Sequence, residues 1–324
     1  MSRSSPLLFR GSLIGGVTMA KADVSPKNSK GDLKMKKKRS VFNVSPYLFV
    51  APFFLVFAIF MLYPVVYSFI LSFSTWRAGE MTFVGLENYK RLFSDALFWK
   101  SLGTTGLILI VQVPIMLVLA TIVASTLNSD KLKAKGLFRL GFFLPALIDL
   151  VTYALVFSLI FNEGYGLINQ ALGLMGLGPI QWFSDGMWAK ILIIIAVTWR
   201  WTGYNAIILL SGLQTIPKEL YESASIDGAG KVKSFFMITV PLLKPVLLFC
   251  GILSTIGTLQ LFAEPFVLTG GGPRNETSTV ILYLYDKAFG SFNFGLASAG
   301  AYVVTTIIAV LSYFQVKASK GGEV

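Results

Sequence analysis

The segment Glu222-Ser-Ala-Ser-Ile-Asp-Gly-Ala-Gly230 is polar and punctuated by glycine, yet it lies between two long hydrophobic runs. It belongs to a connection that covers residues 214–243. Two membrane helices can be joined by far fewer residues, since connections of about two to eight residues are common between helices. The length of this connection therefore predicts a small structured unit outside the membrane.

The composition predicts an integral membrane protein. The chain has 324 residues, of which 54% are hydrophobic and 14% are charged, and its mean hydropathy is +0.69. Soluble domains carry about 25% charged residues. The sequence has no histidine and one cysteine, Cys250. This excludes histidine-based catalytic triads and metal sites built on histidine or paired cysteines, so we expect neither catalytic residues nor a bound metal.

Six apolar runs predict six transmembrane helices, because a bilayer core of about 30 Å needs about 20 residues per helix. Prolines at positions 52, 64, 114, 145 and 265 predict local kinks within them. The predicted fold class is an all-α integral membrane protein. The predicted spans are Tyr47–Phe73, Ser101–Thr126, Leu137–Phe161, Trp188–Gly212, Lys244–Leu268 and Phe294–Val316.

The distribution of basic residues predicts the orientation. Twenty Lys and Arg residues precede span 1 or belong to the connections after spans 2, 4 and 6, whereas seven belong to the other connections. Basic residues are enriched on the cytoplasmic side of membrane proteins. Both termini and the 214–243 connection are therefore predicted to be cytoplasmic.

The same charge pattern suggests three regions. Residues 1–45 hold ten of the 28 Lys and Arg residues and read as a disordered cytoplasmic tail. A basic cluster just before a span fixes topology and contacts anionic lipid, so we expect membrane lipid and no nucleic acid as its partner. A six-span domain follows at 46–316, and 317–324 form a cytoplasmic C-terminal tail.

The 214–243 connection predicts two short helices, which together we call the knob. Pro217 starts the first helix, where its missing N–H costs nothing. Leu220, Tyr221 and Ala224 share one face of it. Gly228 and Gly230 are predicted to end it, since glycine accepts the left-handed conformation of a helix cap.

The second helix of the knob is predicted from Lys231 to Val240, ending at Pro241. Small residues in and just after the first helix would let another protein's backbone approach closely; they are Ser223, Ala224, Ser225, Gly228 and Ala229. An amphipathic hairpin lying on the lipid headgroups uses similar residues. The residues alone leave both interpretations open.

The knob resembles the "EAA" loop of permease subunits of ATP-binding-cassette importers, whose pattern is E-A-A-x-x-D-G-A-x(5)-F-x-x-I-x-x-P-x(3)-P. The single departure is Ser223 in place of alanine. Segments Phe83–Phe93 and Leu268–Pro273 resemble the carbohydrate-uptake branch of that family, the relatives of MalF. The resemblance covers about residues 46–316.

The resemblance implies a function and a set of partners. It implies that a sugar crosses the bacterial cytoplasmic (inner) membrane through this subunit and a second, different permease subunit. Two cytoplasmic ATPase subunits would bind the ATP and Mg²⁺, and an extracytoplasmic solute-binding protein would deliver the sugar. This chain lacks the Gly-x(4)-Gly-Lys-[Ser/Thr] phosphate loop, so no cofactor is expected on it. The residues implied in coupling to the ATPase are Leu220, Tyr221, Glu222, Ser223, Ala224, Asp227, Gly228, Ala229, Phe235, Ile238 and Pro241.

Polar and aromatic residues inside spans 4 and 5 are candidates for the sugar path, because sugar sites need polar side chains and aromatic platforms and because polar groups in membranes mark pathways. Arg200 and Glu264 are open to two interpretations: a structural ion pair between helices, or part of a polar stripe that lines the path. The candidates are Arg200, Trp201, Tyr204, Asn205, Thr258, Gln260 and Glu264.

Two other functions remain as alternatives. An ion-gradient-driven secondary transporter often has internal repeats and intramembrane carboxylates, but no convincing repeat occurs here and the knob would have no role. A membrane enzyme is disfavoured by the lack of histidine and of a clustered acid pair. The sequence does not identify the sugar.

Overall fold

The computed structural model describes residues 45–77, 80–129 and 131–320. The predicted basic tail therefore lies outside the described residues, apart from Ser45. The chain divides into two compact units, residues 1–52 and 53–324. The described part of the first unit is the beginning of helix α1, and everything else below belongs to the second.

The described residues form thirteen α-helices, four short π-helical segments and two strands. The α-helices are α1 Ser45–Phe57, α2 Tyr63–Ser72, α3 Glu87–Ser94, α4 Ala96–Asn128, α5 Lys135–Leu147, α6 Leu150–Ile160, α7 Leu167–Leu174, α8 Gly186–Leu213, α9 Lys218–Ile226, α10 Lys231–Ser234, α11 Val240–Leu259, α12 Val280–Tyr285 and α13 Phe294–Lys320. The π-helical segments are π1 Ala58–Leu62, π2 Phe235–Thr239, π3 Pro265–Thr269 and π4 Asp286–Gly290. The strands are β1 Ser74–Arg77 and β2 Glu80–Phe83.

The helices agree with most of the predicted spans. In the described part of the chain, five helices are long and apolar enough to cross a membrane, or six if α5 and α6 together form one broken span. The five are Tyr47–Ser72, Ala96–Asn128, Gly186–Leu213, Lys231–Leu259 and Phe294–Ala318. The small antiparallel hairpin of β1 and β2 was not part of the all-α prediction.

Predicted span 3 is not one straight helix. Helices α5 and α6 meet at a bend of 97°. The side chain of Asp149 caps α6 by accepting hydrogen bonds from the N–H groups of Val151 (3.0 Å) and Thr152 (3.2 Å). An apolar run shows only that a segment is buried in lipid or protein, so hydropathy could not reveal this break.

Predicted span 5 is displaced toward the N-terminus. Its helical segment begins at Lys231 rather than Lys244 and continues through π2 into α11, which ends at Leu259 rather than Leu268. The expectation that the second knob helix ends at Pro241 is therefore wrong. Proline is tolerated in the first turn of α11 because π2 precedes it, and a π-turn rearranges the backbone bonds that proline would otherwise disrupt.

The last helix is longer than predicted span 6. Helix α13 runs to Lys320, past the predicted end of the span at Val316. Residues 321–324 lie outside the described part.

Close packing of α8 holds the centre of the fold together. It lies against both α4 and α5, and α11 packs on α4 and α8. Small buried residues at the α4–α8 contact, such as Ala120, Ala124 and Ala206, allow the two backbones to approach. Gly203 of α8 is essential to the contact with α5, since a side chain there would overlap the carbonyl of Phe142.

Candidate functional site

The knob is a compact unit in which helix α9 is followed by a tight turn. Pro217 occupies the N-cap and Glu219 lies in the first turn of α9, where the helix dipole favours a negative charge. Tyr221 and Ala224 are half-buried, whereas Leu220 and Glu222 are exposed. The predicted first helix is therefore confirmed, but its apolar face is only partly covered.

Gly228 ends α9 through a pair of hydrogen bonds typical of a helix C-terminus. The Gly228 N–H donates to the Ser225 carbonyl (3.1 Å) and the Ala229 N–H donates to the Ala224 carbonyl (2.8 Å). These bonds require a left-handed residue after the C-cap Asp227, and Gly228 has φ +76°. A Cβ atom at Gly228 would meet nothing within 4 Å, so the requirement for glycine here is conformational.

The knob is tied to the following span. The hydroxyls of Tyr221 and Thr239 are 2.9 Å apart, and Thr239 is buried. Phe235, Ile238 and Thr239 belong to π2, which continues directly into α11. A displacement of α9 would therefore act on a helix that runs without interruption to Leu259.

The outer surface of the knob is apolar as well as polar. Ile226 is 87% exposed, and Val232, Phe236 and Met237 are also exposed. Ser223, Asp227 and Pro241 are exposed beside them. Ile226 was not among the predicted coupling residues. The sequence did offer a signal for Ile226, because it directly precedes Asp227 and Gly228 at the end of a short amphipathic helix.

A second feature is a cavity of about 390 Å³ between α4, α8 and α11. All seven predicted path residues line it, although they come from different parts of the chain. Arg200, Trp201, Tyr204 and Asn205 lie on α8, Thr258 lies on α11, and Gln260 and Glu264 lie just beyond the end of α11. The structure thus brings the whole candidate set to one place.

Arg200 is held at the break between α5 and α6. Its Nη2 donates to the carbonyl of Ile148 (3.2 Å), which the bend leaves without a helical partner. Its guanidinium lies 5.0 Å from the ring centre of Tyr153 and 6.0 Å from that of Trp201. The Nε and Nη1 atoms are buried and have no hydrogen-bond partner.

Glu264 lies just after a second break in the backbone, since residues 261–262 are not helical and Glu264 is in the helical turn that leads into π3. It is 5% exposed. Among the described residues, none forms an ion pair with it, so Arg200 and Glu264 are not the close structural pair that was one of two interpretations. Both side chains instead line the cavity.

Neutral polar groups complete the cavity wall. Thr258 donates to Oε1 of the buried Gln112 (3.1 Å). Asn205 donates to the Trp201 carbonyl (3.0 Å). The ring of Tyr204 lies edge-on to that of Trp201, with centroids 5.7 Å apart. The wall therefore offers amide, hydroxyl and aromatic groups together.

Sequence reasoning missed Gln112, Met116 and Tyr153. Gln112 carried a usable signal, because it is a polar residue inside an apolar run. The sequence offered no signal for Tyr153, since aromatic residues are common in spans and the contact with Arg200 depends on the bend at residues 147–150. Trp199, also aromatic, stacks on Tyr153 with centroids 5.9 Å apart.

An ionic cluster joins three segments near the N-terminal ends of α4 and α8. Glu276 pairs with Lys100 of α4 (2.8 Å) and with Lys190 of α8. Hydrogen bonds from Lys100 and then from Lys190 lower the pKa of Glu276 to about 2.

The nearby turn at residues 270–273 is fixed by a hydrogen bond from Thr277 to the Gly272 carbonyl (2.6 Å). The glycine-rich turn is thus structured.

Comparisons with known proteins agree with a multi-span permease. The family described as the binding-protein-dependent transport system inner membrane component matches residues 16–319. The match begins well before residue 46, where the resemblance noted from the motifs started. The chain belongs to this family. It is a multi-pass component of the inner membrane and a transport subunit rather than a catalytic one.

Two curated relatives are similar over most of their length. The lactose transport system permease protein LacF of Rhizobium radiobacter is 45% identical over 285 residues, which cover 86% of this chain and 95% of the relative. The arabinooligosaccharides transport system permease protein AraP of Bacillus subtilis (strain 168) is 38% identical over 280 residues, covering 85% and 88%.

A solved structure shares the fold. It is the crystal structure of a bacterial alginate ABC transporter in complex with an alginate pentasaccharide-bound periplasmic protein. One of its chains superposes with a TM-score of 0.73 at 21% identity, covering 84% of this chain and 92% of that chain. At this identity the likeness concerns the fold.

Proposed function

We propose that this chain is one of two permease subunits of an ATP-driven, binding-protein-dependent sugar importer. The sugar would be an oligosaccharide or a related solute, as in the relatives named for lactose and arabinooligosaccharides. Both termini and the knob would lie in the cytoplasm. The observation that carries the proposal is the exposed knob, whose helix ends in the Gly228 turn and whose second half continues into α11.

The knob is the proposed contact with the ATPase. The exposed face around Leu220, Glu222, Ile226 and Asp227 would enter a groove on one of two cytoplasmic ATPase subunits, which bind ATP and Mg²⁺. Closure of the ATPase pair would move α9, and the Tyr221–Thr239 contact would pass the movement to α11. This chain would transmit the movement to the membrane helices but would not hydrolyse ATP.

The cavity is the proposed sugar path through this subunit. Its mixture of amides, hydroxyls, aromatic rings and apolar walls suits a ligand that has hydroxyl groups on one side and C–H groups on another. The two backbone breaks support this role, because irregular backbone at membrane depth is tolerated where it lines a cavity or is buried in protein. An extracytoplasmic solute-binding protein would deliver the sugar.

Purification from native membranes tests the assembly. A tagged full-length chain in mild detergent should bring along a second permease and a cytoplasmic ATPase. Cross-linkers placed at Glu222 or Asp227 should join the knob to the ATPase. Recovery of the chain alone, with no ATPase cross-linked from the knob, would contradict the proposal.

Transport measurements then separate an ATP-driven importer from the ion-gradient alternative. The complete assembly in proteoliposomes should take up sugar when ATP is enclosed, and a protonophore or sodium ionophore should leave uptake unchanged. Uptake that follows the ion gradient at constant ATP would favour the secondary transporter instead.

A further inference from the structure

The cavity holds two opposite charges that do not neutralise each other through direct contact. Of the described residues that line it, Arg200 and Glu264 are the charged ones. They form no ion pair within 4.0 Å. Buried charges are normally paired because leaving one unpaired is costly. Because the two side chains do not pair with each other, both remain available to interact with a ligand in the cavity.

Arg200 is fixed in position but incompletely satisfied. Its Nη2 bond to the Ile148 carbonyl and the flanking ring of Tyr153 set the plane of the guanidinium. The buried Nε and Nη1 atoms still lack acceptors. A ligand that reaches the guanidinium would therefore have to supply hydrogen-bond acceptors.

Glu264 presents the opposite requirement. Its side chain is 5% exposed, and no other described residue donates a hydrogen bond to it. It lies immediately before π3, so the backbone fixes its position rather than a flexible loop. A ligand that reaches this carboxylate would have to supply hydrogen-bond donors.

A hydroxyl group meets both requirements, since it is one donor and two acceptors. A ligand carboxylate or sulfonate would satisfy Arg200 but would bring a second negative charge toward Glu264, and like charges at short range repel. A ligand ammonium group would satisfy Glu264 but face Arg200. An uncharged ligand with several hydroxyls avoids both penalties.

We propose that Arg200 and Glu264 act together as a charge filter that admits uncharged sugars and rejects acidic and basic ones. Different hydroxyls of one sugar accept hydrogen bonds from Arg200 and donate to Glu264. This inference rests on the proposed import function. It goes beyond that function by assigning the selection against charged sugars to two residues of the membrane subunit rather than to the binding protein alone.

The test measures sugar binding to the assembled transporter in nanodiscs. The binding protein is left out, so that the measured affinity is that of the membrane cavity alone. Tryptophan fluorescence serves as the signal because Trp201 lines the cavity. The probes are matched pairs that share an open-chain reducing-end residue and differ only in that a CH₂OH group of the neutral member is a carboxylate in the acidic member: lactitol with lactobionate, and maltitol with maltobionate. We expect wild type to bind the neutral member of at least one pair about tenfold or more tightly, the equivalent of about 1.4 kcal/mol.

Variants at the two charges should shift the ratio of neutral to acidic binding in opposite directions. Glu264→Gln should move it at least about tenfold toward the acidic probe, because the like charge is gone. Arg200→Gln should weaken binding of the acidic probe further. Arg200→Lys keeps the charge and should keep the ratio, although neutral sugars bind less tightly. Glu80→Gln and Arg91→Gln, on exposed residues outside the cavity, should match wild type.

The outcomes are distinguishable. An unchanged ratio in both Glu264→Gln and Arg200→Gln, in assemblies that still contain every subunit, overturns the charge filter. So does a wild-type cavity that prefers the acidic probe or binds no probe while the complete system still imports sugar with ATP. Failure of the complete system to import any sugar would instead count against the proposed function itself.

Discussion

The knob and the cavity are built in opposite ways. In the knob, the bonds that end helix α9 join residues three and five positions apart, Gly228 with Ser225 and Ala229 with Ala224, and the Tyr221–Thr239 contact spans 18 positions. In the cavity, Arg200 contacts a carbonyl 52 positions away, and Thr258 contacts Gln112 across 146 positions. The end of α9 satisfies its backbone groups locally, whereas the cavity leaves buried groups of Arg200 unpaired.

The difference teaches how each region would work. A surface that couples to another protein needs a fixed shape before contact, and short-range hydrogen bonds provide it. A cavity that takes a polar ligand needs unsatisfied groups, which cost stability until the ligand arrives; each unpaired buried group costs about 1–3 kcal/mol. The packing of α4, α5, α8 and α11 offsets that cost.

The largest expected effect is at the knob. Gly228→Val should reduce ATP-dependent sugar uptake to background, because a β-branched residue at φ +76° is strained by about 1–2 kcal/mol and would shift the end of α9. Uptake and copurification of the ATPase are the measurements.

Gly176→Val is the matched control for Gly228→Val. Gly176 ends α7 with φ +75° and the same pair of hydrogen bonds, and a side chain there would also meet open space. It lies in a connection predicted to face the other side of the membrane. Its strain should be similar while uptake persists. Equal loss in both variants would mean that strain, rather than the knob, explains the result.

The next effect concerns the packing beneath the cavity. Gly203→Ala should destabilise the protein by about 1–3 kcal/mol, because the new methyl group overlaps the Phe142 carbonyl and forces α5 away from α8. Thermal unfolding in detergent measures this change. Gly106→Ala, on α4 with no atom near the new methyl group, should leave the protein at least as stable as wild type. Similar curves for the two variants would refute the close approach.

A smaller effect is expected where the knob meets the span. Tyr221→Phe removes the hydrogen bond to Thr239 and should cost about 1 kcal/mol. If this contact transmits movement, uptake per ATP hydrolysed should fall while the ATPase stays bound. An unchanged ratio of uptake to hydrolysis would leave the contact with a structural role alone.

The smallest effect at neutral pH belongs to the Glu276 cluster. Glu276 has a pKa of about 2 in the folded protein, below its ordinary value of 4.5. As the pH falls, its carboxylate is therefore protonated in the unfolded chain before it is protonated in the folded protein. The contribution to stability is present above about pH 4.5 and is lost as the pH falls toward 2. Glu276→Gln should flatten the stability curve over that interval. A curve identical to wild type would show that Lys100 and Lys190 do not hold the carboxylate in solution.

Local patterns predicted the knob well and the cavity only in part. Pro217 and Gly228 bound helix α9 as expected, since caps depend on residues within one turn. Gly230 does not help to end α9 but is the N-cap of α10, with φ −67°. The polar residues of spans 4 and 5 were predicted to line a sugar path, because polar groups in apolar runs avoid lipid. The structure brings all seven to one cavity, and their role in a sugar path stays a prediction. The end of the second knob helix was predicted wrongly, because π2 accommodates Pro241 in a way that propensity does not anticipate.

The sequence by itself determined that the chain crosses a membrane several times, that helix α9 stops before Gly228, and that few chemistries are available to a chain without histidine. These properties follow from hydrophobicity, backbone conformation and side-chain inventory, all of which act over short distances. Only the tertiary structure decided that Arg200 meets Ile148 and Tyr153 rather than Glu264. That choice depends on where two helices break and how they pack, and long-range packing is not encoded in any single segment.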